Sequence, residues 1–209
     1  MKNKTFLNNP NELIACIGAI NIDRTFKCTH TPSFGESNIA TLIETTGGVM
    51  YNVAFTLHHL NCKINFVSFT GEDSDSKKIK NQLIAIGLDH SGLINVPNGK
   101  TGTYTLVLDN DSNIIIGLSE MSIFQKVDTR EIVNAVKNTR AETWVIDSNF
   151  EGETLEQLID STKEKKLIAT AVSSIKAPRL VPVLNHLDCL FLNKSELFSI
   201  SSGEKSIKD

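Results

Sequence analysis

Ile17-Gly18-Ala19-Ile20-Asn21-Ile22-Asp23 carries an apolar run into a carboxylate, and downstream Gly47-Gly48-Val49-Met50-Tyr51-Asn52 opens a segment with apolar residues at helical spacing. An extended chain alternates its side chains, so Asn21 and Asp23, two apart, point to one face. A carboxylate there accepts bonds from neighbouring hydroxyls, and an amide beside it both donates and accepts, which suits a sugar diol. Gly47-Gly48 removes side-chain bulk where backbone would approach a ligand. The helix that follows aims its free N–H groups and positive dipole end at the same place, with Asn52 one turn inside it. Taken separately, Asn-x-Asp also reads as a cap or turn and Gly-Gly as an ordinary turn. In this order they read as half of a sugar site.

Around that pair, short apolar runs alternate with helical patterns, the rhythm of parallel strands joined by crossover helices. Residues 13–20, 64–69, 143–146, 167–171 and 189–192 read as core strands, and 49–60, 77–86, 128–136, 154–165 and 193–200 as amphipathic helices. The fold class is α/β with a layered sheet. Asn21 and Asp23 then fall at the carboxyl end of the first strand, where open α/β sheets bind their ligands.

Two segments break the rhythm. Residues 37–44, and the pair 101–108 and 113–118 joined by Asp109-Asn110-Asp111-Ser112, read as strands without crossover helices. They predict a small antiparallel sheet projecting as a lid, with an ordinary edge hairpin as the alternative. Such a sheet needs covering by ligand, main body or a second copy of the chain, so a homodimer through the lid is expected. The domain plan is a loose tail over residues 1–12, one domain over 13–203 with lid strands near 37–44 and 101–118, and a polar tail over 204–209.

The 209 residues, 40% hydrophobic and 22% charged, have the make-up of a globular domain able to bury roughly 70% of its unfolded surface. A net charge of −3 supplies no broad positive field for nucleic acid, and the Lys163, Lys165 and Lys166 cluster is interrupted by Glu164. Cys16, Cys28, Cys62 and Cys189 are far apart with no Cys-x-x-Cys pair, which predicts free thiols in a reducing cytoplasm. No stretch approaches the roughly 18 apolar residues of a membrane span. His58, His59, His90 and His186 lack metal-ligand spacing.

With these residues in order, the chain resembles the ribokinase-like, or PfkB, family of carbohydrate and nucleoside kinases. Gly18 to Asp23 is similar to the family's early Gly-x-x-x-x-Asp element, and Gly47 to Asn52 to its Gly-Gly-x-x-x-Asn element. Gly71-Glu72-Asp73 is similar to the turn after the next strand, and Asn193-Lys194-Ser195-Glu196 to Asn-x-x-Glu. Glu120 to Ile123, Asp147-Ser148-Asn149-Phe150 and Val172 to Lys176 resemble the pseudouridine-kinase subgroup. The resemblance implies ATP-dependent phosphorylation, with Mg2+, of the 5'-hydroxyl of pseudouridine or a related nucleoside or sugar. It implies that Asn21, Asp23, Gly47, Gly48, Asn52 and Asp147 bind substrate and that Asn193 and Glu196 arrange the magnesium and phosphate environment through water, with no direct metal ligand. Capping of the last helix is the other reading of Asn193. Met50 stands where the family usually has a small residue, Asn61 where it has glycine, and Thr170 where the subgroup has aspartate.

The family's phosphate-cradling glycine-rich turn, with its catalytic aspartate, is expected after Leu192 and has no counterpart in these 209 residues. The expectation is therefore the amino-terminal two-thirds of a kinase, inactive alone, with most of the adenine site missing and a complementing carboxyl-terminal chain required. A non-catalytic nucleoside-binding or lid-mediated dimer module is the rival reading.

Overall fold

Residues 12–137, 139–161 and 165–201 are described by the structure, a computed structural model. Of the tails expected at 1–12 and 204–209, all but Glu12 lies outside the described residues. In chain order the elements are β1 Leu13–Ile17, β2 Asn21–Cys28, β3 Ala40–Gly47, α1 Val49–His59, β4 Lys63–Thr70, α2 Ser74–Ala85, β5 Gly92–Asn95, β6 Thr103–Leu108 and β7 Ile114–Glu120. There follow α3 Ile123–Lys126, α4 Thr129–Lys137, β8 Thr143–Asp147, α5 Gly152–Asp160, β9 Lys166–Thr170, a 3-10 helix Ala177–His186, β10 Cys189–Phe191 and α6 Lys194–Ser201.

Six strands form a parallel sheet in the order β10-β9-β8-β1-β4-β5. Central β1 is an unbroken apolar run, as expected of a strand with neighbours on both sides and both faces packed. Along β1, Ala15 and Ile17 pack into the cluster under α4, α5 and the 3-10 helix, whereas Ile14 and Cys16 pack on the side of α1 and α2. Burial, with a smaller contribution from Cys62, pushes the Cys16 thiol up to about 12, so it packs as an uncharged small hydrophobe. Phe69, Phe124 and Phe150 meet edge-to-face with centroids 5.8–6.3 Å apart, the geometry favoured by the ring quadrupole.

The second sheet has the order β3-β2-β6-β7. It is mixed rather than antiparallel throughout, since β2 pairs antiparallel with β3 but parallel with β6. One expectation is corrected here: the first core strand ends at Ile17, and Asn21 and Asp23 begin β2, the inner strand of the second sheet. The bend at Gly18 to Ile20 is fixed by bonds from Gly18 N to Val67 O at 3.1 Å and from Ile20 N to Ser68 Oγ at 3.1 Å.

Asn61 explains its own departure from glycine. It has φ 62°, a left-handed conformation that asparagine tolerates better than most residues. Its N–H donates to His58 O and that of Cys62 to Leu57 O, the paired bonds of a Schellman stop on α1. On the same side of the main sheet, Ile14, Val53, Leu57, Val145, Ile168, Thr170 and Phe191 line an apolar groove of about 490 Å³. Phe191 on the edge strand is 61% exposed.

Candidate functional site

Between the carboxyl ends of the main strands and one face of the second sheet lies a cleft of about 640 Å³. Asn21, Asp23, Gly48 and Asn52 all line it. Although β2 is not the strand the sequence points to, its period of two still places Asn21 and Asp23 together. Asn21 Nδ2 donates to Asp23 Oδ1 at 2.6 Å. Partial burial pushes the Asp23 carboxyl above its ordinary value, against the opposing effect of that bond. Its lone pairs are not neutralised by a cation, since Asp23 is in no ion pair among the described residues.

Gly48 caps α1 with φ 109° and ψ 140° and no side-chain cap. A Cβ at this position would stand 2.5 Å from Ala19 O and 2.9 Å from Asn21 Oδ1, so only glycine lets the helix start approach the cleft floor. The first turn closes through Asn52 N to Gly48 O at 2.9 Å and is tied to the bend through Tyr51 N to Ala19 O at 3.2 Å.

Gly47 and Asp147 do not line the cleft. Gly47 pairs with Asn21 across β2 and β3, and a Cβ there would collide with the Asp23 carboxylate. Asp147 is wholly buried beneath the bend, where its carboxylate accepts from Ala19 N at 2.8 Å and Asn149 N at 2.9 Å. Burial pushes its pKa up, with those two N–H groups, the Asn149 side chain and the charge of Lys176 acting the other way. Asn193 and Glu196 also stand apart. Asn193 N donates to Glu196 Oε2 at 2.8 Å and Glu196 N to Asn193 Oδ1 at 2.9 Å, a reciprocal capping box at the start of α6. Among the described residues, no group of three or more His, Cys, Asp or Glu gathers where it would hold a metal.

Asp73, in the turn after β4, caps α2 through Ser76 N at 2.9 Å and accepts from Thr101 N and Thr101 Oγ1, each at 2.7 Å. It thereby secures the foot of β6. Burial raises its pKa, but the bonds from Thr101, Ser76 and Asp75 outweigh that and hold it below the usual carboxylate value. A second joint comes from Arg24, which bonds Glu44 at 2.9 Å and Asp75 at 2.6 Å, while Lys78 reaches Glu44 at 3.1 Å and Asp75 at 3.2 Å.

Sequence reasoning gave no role to Tyr104, Gly117 and Ser119 of the second sheet, to Met121 just after it, or to Asn149, Ser173 and Lys176 on the far wall, yet all line the cleft. Three of the segments concerned follow β7, β8 and β9. Their common place after strand ends is the signal that would have found them.

Residues 11–209 match the pfkB family carbohydrate kinase profile. Pseudouridine kinase of Escherichia coli (strain K12) is 25% identical over 191 residues, which cover 91% of this chain and 61% of that protein. The uncharacterized sugar kinase YeiI of the same organism is 22% identical over 192 residues, 91% of this chain and 53% of its own. Among solved structures, a carbohydrate kinase from Agrobacterium tumefaciens is similar with a TM-score of 0.76 at 25% identity, over 90% of this chain and 63% of that one. Arabidopsis thaliana ribokinase complexed with ribose and ATP gives 0.74 at 20% identity, over 91% and 62%. The chain thus spans 61% of the length of the pseudouridine kinase it matches. With this match running through the bend, the glycine-started helix and the cleft between two sheets, the chain belongs to the pfkB family of carbohydrate kinases.

Proposed function

We propose that this chain supplies the acceptor-substrate half of an ATP-dependent nucleoside or sugar kinase site, with pseudouridine or a related nucleoside as the ligand. The observation that carries the reading is the meeting of Asn21, Asp23, Gly48 and Asn52 in one cleft of about 640 Å³, a volume in the range of small-molecule sites. Asn21 and Asp23 hold ribose hydroxyls, Asn52 bonds another, and the backbone at Gly48 approaches the sugar. Gly47 and Asp147 act from beneath, one by making room for Asp23 and the other by fixing the bend. The likeness to pseudouridine kinase supports the choice of ligand.

Phosphorylation requires the acceptor oxygen to attack the γ-phosphorus of ATP as ADP departs, with a base taking the hydroxyl proton and donors surrounding the phosphoryl group. Asp23 is the one carboxylate in the described lining of the cleft, and Asn21 already engages it. Asn193 and Glu196 spend their side chains on a helix cap, which does not fit a magnesium site, so no metal-dependent step runs through them. These 209 residues alone are expected to bind acceptor without turnover, the base and the phosphate cradle having to come from outside them.

Calorimetric titration with pseudouridine and with ribose tests this. Saturable binding that is lost in Asp23→Ala, with no ATP consumed by the pure protein, is expected. Failure of both ligands to bind would overturn the substrate assignment, and steady ATP turnover would overturn the division of labour.

A lid-mediated dimer is favoured by a separate observation. Ile114, Ile116 and Leu118, spaced by two along β7, are 66%, 48% and 53% exposed, on the face opposite Gly117 and Ser119. Sedimentation of the wild type beside Ile116→Glu tests it, with a shift from dimer to monomer expected and a monomeric wild type excluding it.

A further inference from the structure

Across the cleft from the Asn21–Asp23 pair stands a cation whose partners are incomplete. Lys176 Nζ donates to Asn149 Oδ1 at 2.8 Å, and no carboxylate forms an ion pair with it among the described residues. The two carboxylates that act on it through space are engaged elsewhere: Glu151 is bonded by Arg179 at 2.7 Å, and Asp147 accepts from the backbone of Ala19 and Asn149. An ammonium carries three donors and no acceptor, so the Asn149 bond leaves donors over at the cleft wall. The side chain is also half-buried. Burial first and the neighbouring Arg179 second push its pKa down, against the opposing attraction of the Asp147 and Glu151 carboxylates.

Asn149 is built to hold that ammonium in place. It is 3% exposed, its N–H donates to Asp147 at 2.9 Å, and its carbonyl accepts from Arg179 Nη1 at 2.8 Å. With the backbone anchored at both groups, the amide oxygen presented to Lys176 has little freedom. Val172 and Ile175 on the wall of the lysine, Tyr104 on the second sheet and Met121 just after β7 also line the cleft. Aromatic, aliphatic and thioether surfaces of this kind suit the flat faces of a planar ring, whereas the amide and carboxylate at the other wall suit hydroxyls.

We propose that Lys176, positioned by Asn149, is the specificity-determining residue of the cleft and donates to a carbonyl oxygen on the base of a nucleoside whose ribose meets Asn21, Asp23 and Asn52. The inference rests on the reading of the cleft as the acceptor-substrate site. A donor-only group that is half withdrawn from water gains an acceptor when a carbonyl-bearing base enters. It gains nothing from a base that offers an amino group in the same place. The cleft therefore separates bases by their oxygens, while the sugar end is indifferent to the base.

The test uses the whole 209-residue protein and three probes: pseudouridine, with two ring carbonyls; adenosine, with none; and ribose, with no base. Titration calorimetry on the wild type, Lys176→Met, Lys176→Gln and Lys176→Arg gives the affinities, with thermal melts as the check on folding. The wild type is expected to prefer pseudouridine to adenosine. Lys176→Met should weaken pseudouridine about tenfold or more, by loss of a charge-assisted bond, while ribose affinity stays unchanged and Lys176→Arg retains most of the preference. Lys176→Gln, which keeps a neutral donor, should fall between and serves if the methionine variant does not fold. Unchanged pseudouridine affinity in both Lys176→Met and Lys176→Gln, or an equal loss for ribose, overturns the inference while leaving the cleft reading in place. No binding of any probe by the wild type overturns both.

Discussion

Asp147 and Ala19, 128 positions apart in the chain, are joined by a 2.8 Å bond from the Ala19 N–H to a carboxylate that no solvent reaches. That bond holds the three-residue bend by which the chain leaves the main sheet and enters the second. Asp147→Ala should orphan the N–H groups of Ala19 and Asn149 and cost about 1–3 kcal/mol of stability. Urea unfolding would measure it. A variant as stable as the wild type would mean that the bend is held by its other bonds, to Val67, Ser68 and Tyr51.

Asp23 should behave in the opposite way. Its carboxylate is partly buried without a cationic partner, so Asp23→Ala should leave the melting temperature unchanged or slightly higher while weakening ribose or pseudouridine roughly tenfold to a hundredfold, the worth of bonds to a charged acceptor. Because burial raises its folded pKa, the charged form lapses earlier on acidification than for an ordinary aspartate. Affinity should therefore fall as pH drops through that raised value. The sign for stability is reversed: the group costs stability while ionised and the cost vanishes as it is protonated. Affinity that stays level down to the unperturbed aspartate range would contradict this.

Gly48→Ala should be damaging in both respects. The backbone at φ 109° excludes a side chain, and the added methyl would press on Ala19 O and Asn21 Oδ1. A penalty of about 1–3 kcal/mol is expected from the strained conformation, together with weakened ligand binding as α1 withdraws from the cleft. Gly35, also at positive φ but with nothing within 4 Å of where a methyl would stand, is the internal comparison: Gly35→Ala should strain only its own loop and leave binding intact. Equal binding losses in the two variants would refute the close-approach argument.

Asp73 supplies an acid-sensitive tie. Its folded pKa is depressed, so its contribution is complete above the unfolded value of about 3.9 and is lost as pH falls through the lower folded value. Asp73→Ala should cost about 1 kcal/mol near neutrality through the lost cap. The same variant should lose less stability than the wild type between pH 5 and pH 2. Parallel acid profiles for the two proteins would show that the carboxylate contributes nothing at the foot of β6.

Much of the core was legible because buried parallel strands are continuous apolar runs, and residues such as Ile14 to Ile17 or Thr143 to Ile146 cannot read as anything else. The strand Asn21–Cys28 was not. It follows β1 after three residues with only Gly18 as punctuation, so one strand and the start of another merge into a single apolar run ending in a carboxylate. Gly92–Asn95 is too short to register a period. That Asn21, Asp23 and Asn52 would come together, as they do in the cleft lining, was readable from side-chain chemistry and spacing. The assignment of Asp147 to substrate came from the family resemblance, and its burial under a bend 128 residues away leaves no local trace. The stretch Val172 to Lys176 was picked out by the resemblance but given no role, because nothing in it says that Asn149 will sit beside Lys176 and Glu151 will turn to Arg179.

One wall of the cleft is mounted on charge. Arg24 and Glu44 of the second sheet meet Asp75 and Lys78 of α2 through side chains that are between 12% and 48% exposed, and mobile ions attenuate attractions of that kind. An electrolyte that never enters the cleft thus reaches Asn21 and Asp23 through the hinge on which they hang. Affinity for an uncharged ligand should then depend on the buffer's ionic strength, an echo of the mounting rather than of the grip.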